Sequence, residues 1–103
     1  SMPQAVLEGL CAARSEITGA AFVEANGLAR ASAGPRAHEA RKAGTEALGM
    51  LEPKERLTLE AEQGWLLAER FEGGDLLLVL TEPSPNLGSI LAEVQRCCSL
   101  LTR

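Results

Sequence analysis

The sequence predicts one domain of the α/β class, more narrowly α+β, with the element order helix-strand-strand-helix-strand-strand-strand-helix. Apolar residues recur every three or four positions in three segments and every second position after Pro53. Asn26-Gly27 separates two short apolar stretches, as in a hairpin. With 103 residues the chain is long enough to form one hydrophobic core. We therefore expect a single domain over 1–103, with residues 1–3 outside it as disordered chain or a tag remnant.

The N-terminal segment predicts a helix followed by a hairpin. The helix, over residues 4–14, has an apolar stripe at helical spacing made of Val6, Leu7, Leu10 and Ala13. Strands are predicted at 17–25 and 28–33. Because Asn and Gly tolerate positive φ, we expect Asn26-Gly27 to form a two-residue type I′ turn. The first strand is apolar on both faces apart from Glu24, so we expect other elements to cover both of them.

A second helix is predicted over residues 36–51, after Gly34-Pro35. Its apolar face is small at the start and larger at the end, and consists of Ala37, Ala40, Gly44, Ala47, Leu48 and Leu51. A glycine inside a helix costs about 1 kcal/mol relative to alanine. Close approach of another backbone would compensate for that cost, so we expect one at Gly44.

Three strands and a last helix follow. Residues 56–62 alternate apolar and polar, which predicts a strand with one solvated face, and 65–71 follows after a Gln63-Gly64 turn. The run "LLLVL" at 76–80 is apolar throughout and is typical of a strand in the middle of a sheet. Asn86 is a suitable cap for a final helix whose apolar stripe runs from Leu87 to Leu101.

Composition argues against several kinds of partner. The net charge is −4 and the pI about 5.0, so the overall field repels nucleic acid and anionic lipid. No apolar run approaches membrane-spanning length and no secretory signal precedes the domain, so we expect a cytoplasmic protein with no membrane insertion. Three cysteines without a CxxC pair, together with one histidine, predict neither a disulfide framework nor a metal site.

Catalytic residues are not apparent in the sequence. His38 is the only side chain that titrates near neutrality without a pKa shift, and no acid or nucleophile can be paired with it. Neither GxxxxGK[ST] nor GxGxxG occurs, so no phosphate-binding loop is predicted. Glu60 and Glu62 lie on the solvated side of an alternating strand, and Trp65 fits core packing better than a partner contact. We therefore expect no enzyme activity, no catalytic residue and no cofactor.

Two longer stretches resemble a known family. These are "TGAAFVEANGLARASAG" in the first hairpin and "GGDLLLVLTEPSPNLGSILAEV" from the last strand into the last helix. With the element order, they resemble the Roadblock/dynein light chain family, more closely its prokaryotic branch, which includes the gliding-motility regulator B proteins. The resemblance extends from about Leu7 to Leu101. It implies a five-stranded antiparallel sheet flanked by three helices, with the second helix on one face and the first and last on the other.

The resemblance also implies a homodimer in which the second helices pack together and the third strand pairs across the two-fold axis. The interface residues expected on this basis are Ala37, Ala40, Gly44, Ala47, Leu57, Thr58, Leu59 and Glu60. Family members are dimeric platforms, so the implied function is that of a regulator or scaffold for a Ras-like small GTPase. The residues expected to bind this partner are Arg36, His38, Arg41, Lys42 and Thr45. Alternatives are a ligand-sensing module of the profilin/longin-like type and a structural light-chain subunit.

Overall fold

A computed structural model describes residues 1–103, and its elements follow the predicted order. The helices are α1 (Met2–Ala13), α2 (Ala37–Leu48) and α3 (Leu87–Leu101). The strands are β1 (Ile17–Val23), β2 (Ala29–Ala33), β3 (Arg56–Ala61), β4 (Gly64–Arg70) and β5 (Leu76–Thr81). None of the helices is both long and apolar enough to cross a membrane.

All five strands form one antiparallel sheet with the order β2-β1-β5-β4-β3. The last strand in the sequence is therefore the central one, and every residue of β5 is buried, as its continuous apolar run predicts. Helix α2 packs on one face of the sheet, whereas α1 and α3 pack on the other. The predicted fold class is confirmed, and β2 and β3 are the two sheet edges.

Each face of the sheet has its own core. On the α1/α3 face, Leu7, Leu10 and Ile90 are fully buried against residues of β1, β4 and β5. On the α2 face, the fully buried Leu76 and Leu78 belong to the core of small residues under α2. Alternation along the strands sends successive side chains to opposite cores, so a strand with two covered faces must be apolar throughout.

Two helix boundaries differ from the prediction by more than one residue. Helix α1 begins at Met2, so Met2 and Pro3, which we expected outside the fold, lie in its first turn. Helix α2 ends at Leu48 rather than at residue 51. The guanidinium of Arg70 donates to the carbonyls of Leu48 (3.4 Å) and Leu51 (2.6 Å), and thereby satisfies acceptors that the end of a helix leaves free. Leu51 stays buried beyond the end of the helix.

The turn between β1 and β2 is not type I′. Gly27 has a φ of +93°, but Asn26 does not have a positive φ, and type I′ requires one at both positions. Instead Gly27 N–H donates to Glu24 O (2.8 Å) and Asn26 Oδ1 accepts from Leu28 N–H (3.0 Å). This is a tight turn at Ala25-Asn26 followed by a left-handed glycine, a common alternative for longer hairpin loops.

Candidate protein-interaction surface

Strand β3 is an uncovered sheet edge. It pairs only with β4, and all six of its residues are exposed or half-buried. No side chain donates to or accepts from the backbone of residues 56–61. The outer N–H and C=O groups of an edge strand are a template for a further strand. Sequence alternation predicted the strand, and the topology makes it an edge.

An apolar strip lies on the α2 side of this edge. Leu59 is 49% exposed and stands directly opposite the half-buried Leu66 of β4. Leu57 and Leu66 are half-buried and pack against the core under α2, so the strip continues that core to the edge of the sheet. Exposed apolar side chains that adjoin a core in this way are typical of interaction sites.

Sequence reasoning missed Leu66 as part of this strip because the turn between β3 and β4 was predicted one residue too late. Residues 65–71 are predicted as a strand, and in the structure Leu66 of this strand is half-buried beside β3, which ends the sheet. Met50, two residues beyond α2, is 68% exposed and was also missed. The predicted Gln63-Gly64 turn would set Leu66 opposite Ala61, whereas the observed turn at Glu62-Gln63 pairs Ala61 with Gly64 and so Leu59 with Leu66.

The opposite side of β3 is polar. The Arg56 Nε lies 2.7 Å from Glu69 Oε1 of β4, while Thr58 and Glu60 are exposed without a hydrogen-bonding partner from their side chains. A narrow cleft of about 50 Å³ separates this side from Leu91 of α3. That volume is below the roughly 300 Å³ at which small-molecule pockets begin.

Four of the five residues expected to bind a partner share the exposed face of α2: His38, Arg41, Lys42 and Thr45. Arg41 and Lys42 have no carboxylate within 4.0 Å, and the Thr45 hydroxyl donates to Lys42 O (2.9 Å). Glu39 and Glu46 are exposed on the same helix, so this face carries charges of both signs. Unpaired cations at a surface are available to a partner's carboxylates.

Arg36 is in a different environment from the other four. Its guanidinium is half-buried and lies 2.8 Å from Glu39 Oε2, with a further donor 3.4 Å from Thr18 Oγ1. The hydrogen bond to Glu39 raises the pKa of Arg36, and the same bond lowers the pKa of Glu39. Arg36 is thus engaged within the chain, at the start of α2, rather than free on the helix surface.

The small-residue face of α2 packs on the chain's own sheet. Ala40 is fully buried, Ala47 is 4% exposed and Gly44 is buried. A Cβ at Gly44 would lie 2.8 Å from Val23 Cγ2. The close approach expected at Gly44 is therefore present, but with the sheet beneath it. This differs from the expectation that Ala37, Ala40, Gly44 and Ala47 contact a second subunit, since the last three are buried within the chain and only Ala37 is half-buried.

No group of three or more His, Cys, Asp or Glu side chains has the spacing of a metal site. Burial raises the pKa of the Cys11, Cys97 and Cys98 thiols, which favours their neutral form. His38 is exposed on α2 with no hydrogen-bonding side chain beside it. His38 lies on the α2 side of the sheet and the three cysteines on the α1/α3 side, so these groups do not converge.

The sequence matches no protein-family model and no curated protein. Its structure, however, is similar to that of a Roadblock/LC7 domain from Streptomyces avermitilis, with a TM-score of 0.77 over 94% of this chain and 95% of that one. The chain has the Roadblock/LC7 fold. The identity between the two sequences is 18%, so the likeness is one of architecture.

Two further structures with the Roadblock/LC7 fold are gliding proteins. MglB of Myxococcus xanthus has a TM-score of 0.79 at 16% identity, over 97% of this chain and 91% of that one. The gliding protein mglB of Thermus thermophilus has a TM-score of 0.70 at 14% identity, over 98% and 89% of the two chains. The Roadblock/LC7 fold therefore accounts for nearly the whole chain, as the two quoted sequence stretches predicted.

Proposed function

We propose that this chain is a non-catalytic, homodimeric interaction module of the cytoplasm that regulates or scaffolds a Ras-like small GTPase. The observation that carries the proposal is the combination of an uncovered β3 edge with an apolar strip beside it, on the same side of the sheet as the charged face of α2. The first two features suit a second copy of the chain. The third suits a separate partner.

The composition of β3 supports pairing with itself. In an antiparallel pairing centred on Thr58, Arg56 of one copy stands opposite Glu60 of the other, and Leu57 stands opposite Leu59. Opposite charges and apolar pairs that face each other across strands each contribute about 0.2–1 kcal/mol. A two-fold axis duplicates every such contact, because the same patch serves both subunits. The interface proposed here therefore consists of Leu57, Thr58, Leu59 and Glu60, with Ala37 at its margin.

Oligomeric state tests the dimer directly. We expect sedimentation of the wild-type chain at tens of micromolar to give a dimer, and Leu59→Asp to give a monomer because a carboxylate replaces the exposed centre of the strip. Leu28→Asp is the matched control, since Leu28 is 54% exposed but lies in the β1–β2 turn. A monomeric wild-type chain, or a Leu59→Asp variant that stays dimeric, would contradict the proposal.

The GTPase part of the proposal rests on the resemblance to the Roadblock family and on a physical argument. A rigid sheet-and-helix face makes different contacts with a GTPase in its two nucleotide states, because the γ-phosphate orders the switch loops. Arg41 and Lys42 supply unpaired charge at this face. A side chain on a helix body has less reach than one on a loop, so we assign Arg41 to recognition rather than to stabilisation of a transition state.

Charge reversal tests this part. The Ras-like GTPases of the source genome are purified, loaded with GDP or a non-hydrolysable GTP analogue, and titrated with the chain. We expect the double variant Arg41→Glu/Lys42→Glu to weaken binding about tenfold, the equivalent of 1.4 kcal/mol from two surface charges. The control Arg96→Glu/Arg103→Glu makes the same change of charge on the α3 side. Equal affinity for both nucleotide states, or no effect of the double reversal, would exclude recognition of the switch loops at α2.

A further inference from the structure

The other edge of the sheet is occupied by a side chain. The Gln4 amide on α1 makes two hydrogen bonds with the backbone of Ser32 in β2: Gln4 Nε2 donates to Ser32 O (2.7 Å), and Ser32 N–H donates to Gln4 Oε1 (3.1 Å). Ser32 is paired with Ala21 of β1 on its inner side, and no strand lies on its outer side. One side-chain amide thus fills the donor and the acceptor positions that a neighbouring strand would use.

A third hydrogen bond also holds the Gln4 side chain in place. Its Nε2 donates to Glu8 Oε2 (3.1 Å), one helical turn further along α1. Both hydrogens of the amide are therefore used, and its oxygen accepts from Ser32. Since Leu7 and Leu10 are fully buried, α1 is already anchored on the sheet by its apolar face. The hydrogen bonds between Gln4 and Ser32 are therefore not needed to hold α1 on the sheet. What they add is cover for the backbone at the edge of β2.

The two edges of the sheet differ in whether a side chain is hydrogen-bonded to their backbone. The backbone of β3 receives no hydrogen bond from any side chain, whereas β2 is bonded by Gln4 at Ser32. Uncovered edges pair with further strands, and proteins block those that must stay single. A dimer joined through β3 would still carry one β2 edge at each end of its extended sheet. If both ends accepted strands, the assembly would not close.

We propose that Gln4 acts as a strand mimic that closes the β2 edge and leaves β3 as the one open edge of the sheet. The occupant it excludes is β2 of a second copy of this chain. Two β2 strands in antiparallel contact would bond through the outward backbone groups of Ser32, which are the groups that Gln4 fills. The inference goes beyond the proposed function and does not depend on the wild-type chain being a dimer.

The test replaces Gln4 by methionine, which keeps the length of the side chain and removes the amide. Hydrogen exchange followed by NMR reports on Ser32 directly. At a concentration low enough for Gln4→Met to have the wild-type size by sedimentation, we expect its Ser32 amide to exchange at least tenfold faster than in the wild type, while amides of β1 bonded to β5 are unchanged. Gln95→Met, at an exposed position of α3, is the matched control and leaves Ser32 as it is. An unchanged exchange rate at Ser32 would overturn the proposal.

Assembly is the second measurement. By sedimentation, the wild-type chain keeps one size across concentrations, and Gln4→Met forms larger species as the concentration rises, with renewed protection of the Ser32 amide. The variant Gln4→Met/Leu59→Asp separates this result from the proposed dimer, because self-association that persists in it must use the β2 edge. If Gln4→Met kept the wild-type size at every concentration, the proposal would be refuted.

Should Gln4→Met fold poorly, Gln4→Glu provides a second variant. It leaves the helix propensity nearly the same, but it replaces the donor to Ser32 O and to Glu8 by a carboxylate oxygen that both of these acceptors repel. We expect this repulsion to free the outward N–H and C=O of Ser32, so that larger species form as with Gln4→Met. Absence of larger species with this variant would also count against the strand mimic.

Discussion

Replacing a helical glycine by alanine should have opposite effects on the free energy of unfolding at two positions of this chain. Gly44 lies in α2, where an added Cβ would meet Val23 Cγ2 at 2.8 Å, Leu78 Cβ at 3.5 Å and Ala21 Cβ at 3.8 Å. Gly9 lies on the exposed side of α1, where an added Cβ meets no atom within 4 Å. The two substitutions are chemically identical, so the difference between them measures the packing under α2.

The magnitudes follow from two opposing effects. Alanine is favoured over glycine inside a helix by about 1 kcal/mol, and this gain applies to both positions. At Gly44 overpacking costs about 1–3 kcal/mol, because Val23 is fully buried and its branched side chain has few alternative rotamers. We therefore expect Gly9→Ala to stabilise the chain by about 1 kcal/mol and Gly44→Ala to destabilise it by about 1 kcal/mol.

Urea unfolding followed by circular dichroism measures both values, at one protein concentration because assembly adds to the apparent stability. In thermal scans the expected difference corresponds to a separation of roughly 8–16 °C in Tm between the two variants. Combining Gly44→Ala with Val23→Ala removes the methyl group that is contacted, so the double variant should lose at least about 1 kcal/mol less than the sum of the single losses. If Gly44→Ala stabilised the chain as much as Gly9→Ala, the close contact between α2 and β1 would be refuted.

Three further outcomes are expected. The Asn86 N–H donates to Glu16 Oε2 (3.0 Å) and lowers the pKa of Glu16 in the folded chain. The stabilisation from this carboxylate is therefore fully present above its pKa in the unfolded chain, about 4.3, and is lost as the pH falls through its lower pKa in the folded chain. Urea titrations should show the wild type and Glu16→Gln converging in stability in acid. Arg70→Met removes the hydrogen bonds at the end of α2 and should cost about 2 kcal/mol in the same assay, whereas a loss below about 0.5 kcal/mol would contradict the capping role. Because Cys98 is buried with a raised pKa, a thiol reagent at pH 8 should modify Cys11 first and reach Cys98 only at the rate of unfolding, as followed by peptide mass spectrometry.

The elements were predictable where one periodicity dominates. The alternation after Pro53 and the continuous apolar run at 76–80 identify a strand with a solvated face and a strand covered on both sides, and both were found. The boundary at the end of α2 was missed because the cap is a tertiary contact. Arg70 is more than twenty positions away from Leu48, and no local sequence pattern predicts that its guanidinium reaches that carbonyl.

The interaction surface was predictable only in part. An Ala and Gly face predicts close approach of a neighbour, but a sheet in the same chain and a helix in another subunit both require small residues, so the pattern at Gly44 does not say which is present. The charged face of α2 was read correctly as exposed, since Arg41 and Lys42 lie opposite the small residues on a helix. The role of Gln4 had no signal in the sequence, because it depends on the distance between α1 and the edge of β2.

The position of β5 in the centre of the sheet has a consequence for how the chain is made. The β1–β2 and β3–β4 hairpins are local, but they share no backbone pairing, and β5 joins them by pairing with both. Ile17 pairs with Thr81, so the pairing of β1 with β5 cannot form until the last strand has been synthesised. A two-stranded hairpin is marginally stable in water. A nascent chain on the ribosome therefore stays without a completed core until β5 has emerged, and folding is then a late and cooperative event limited by long-range closure.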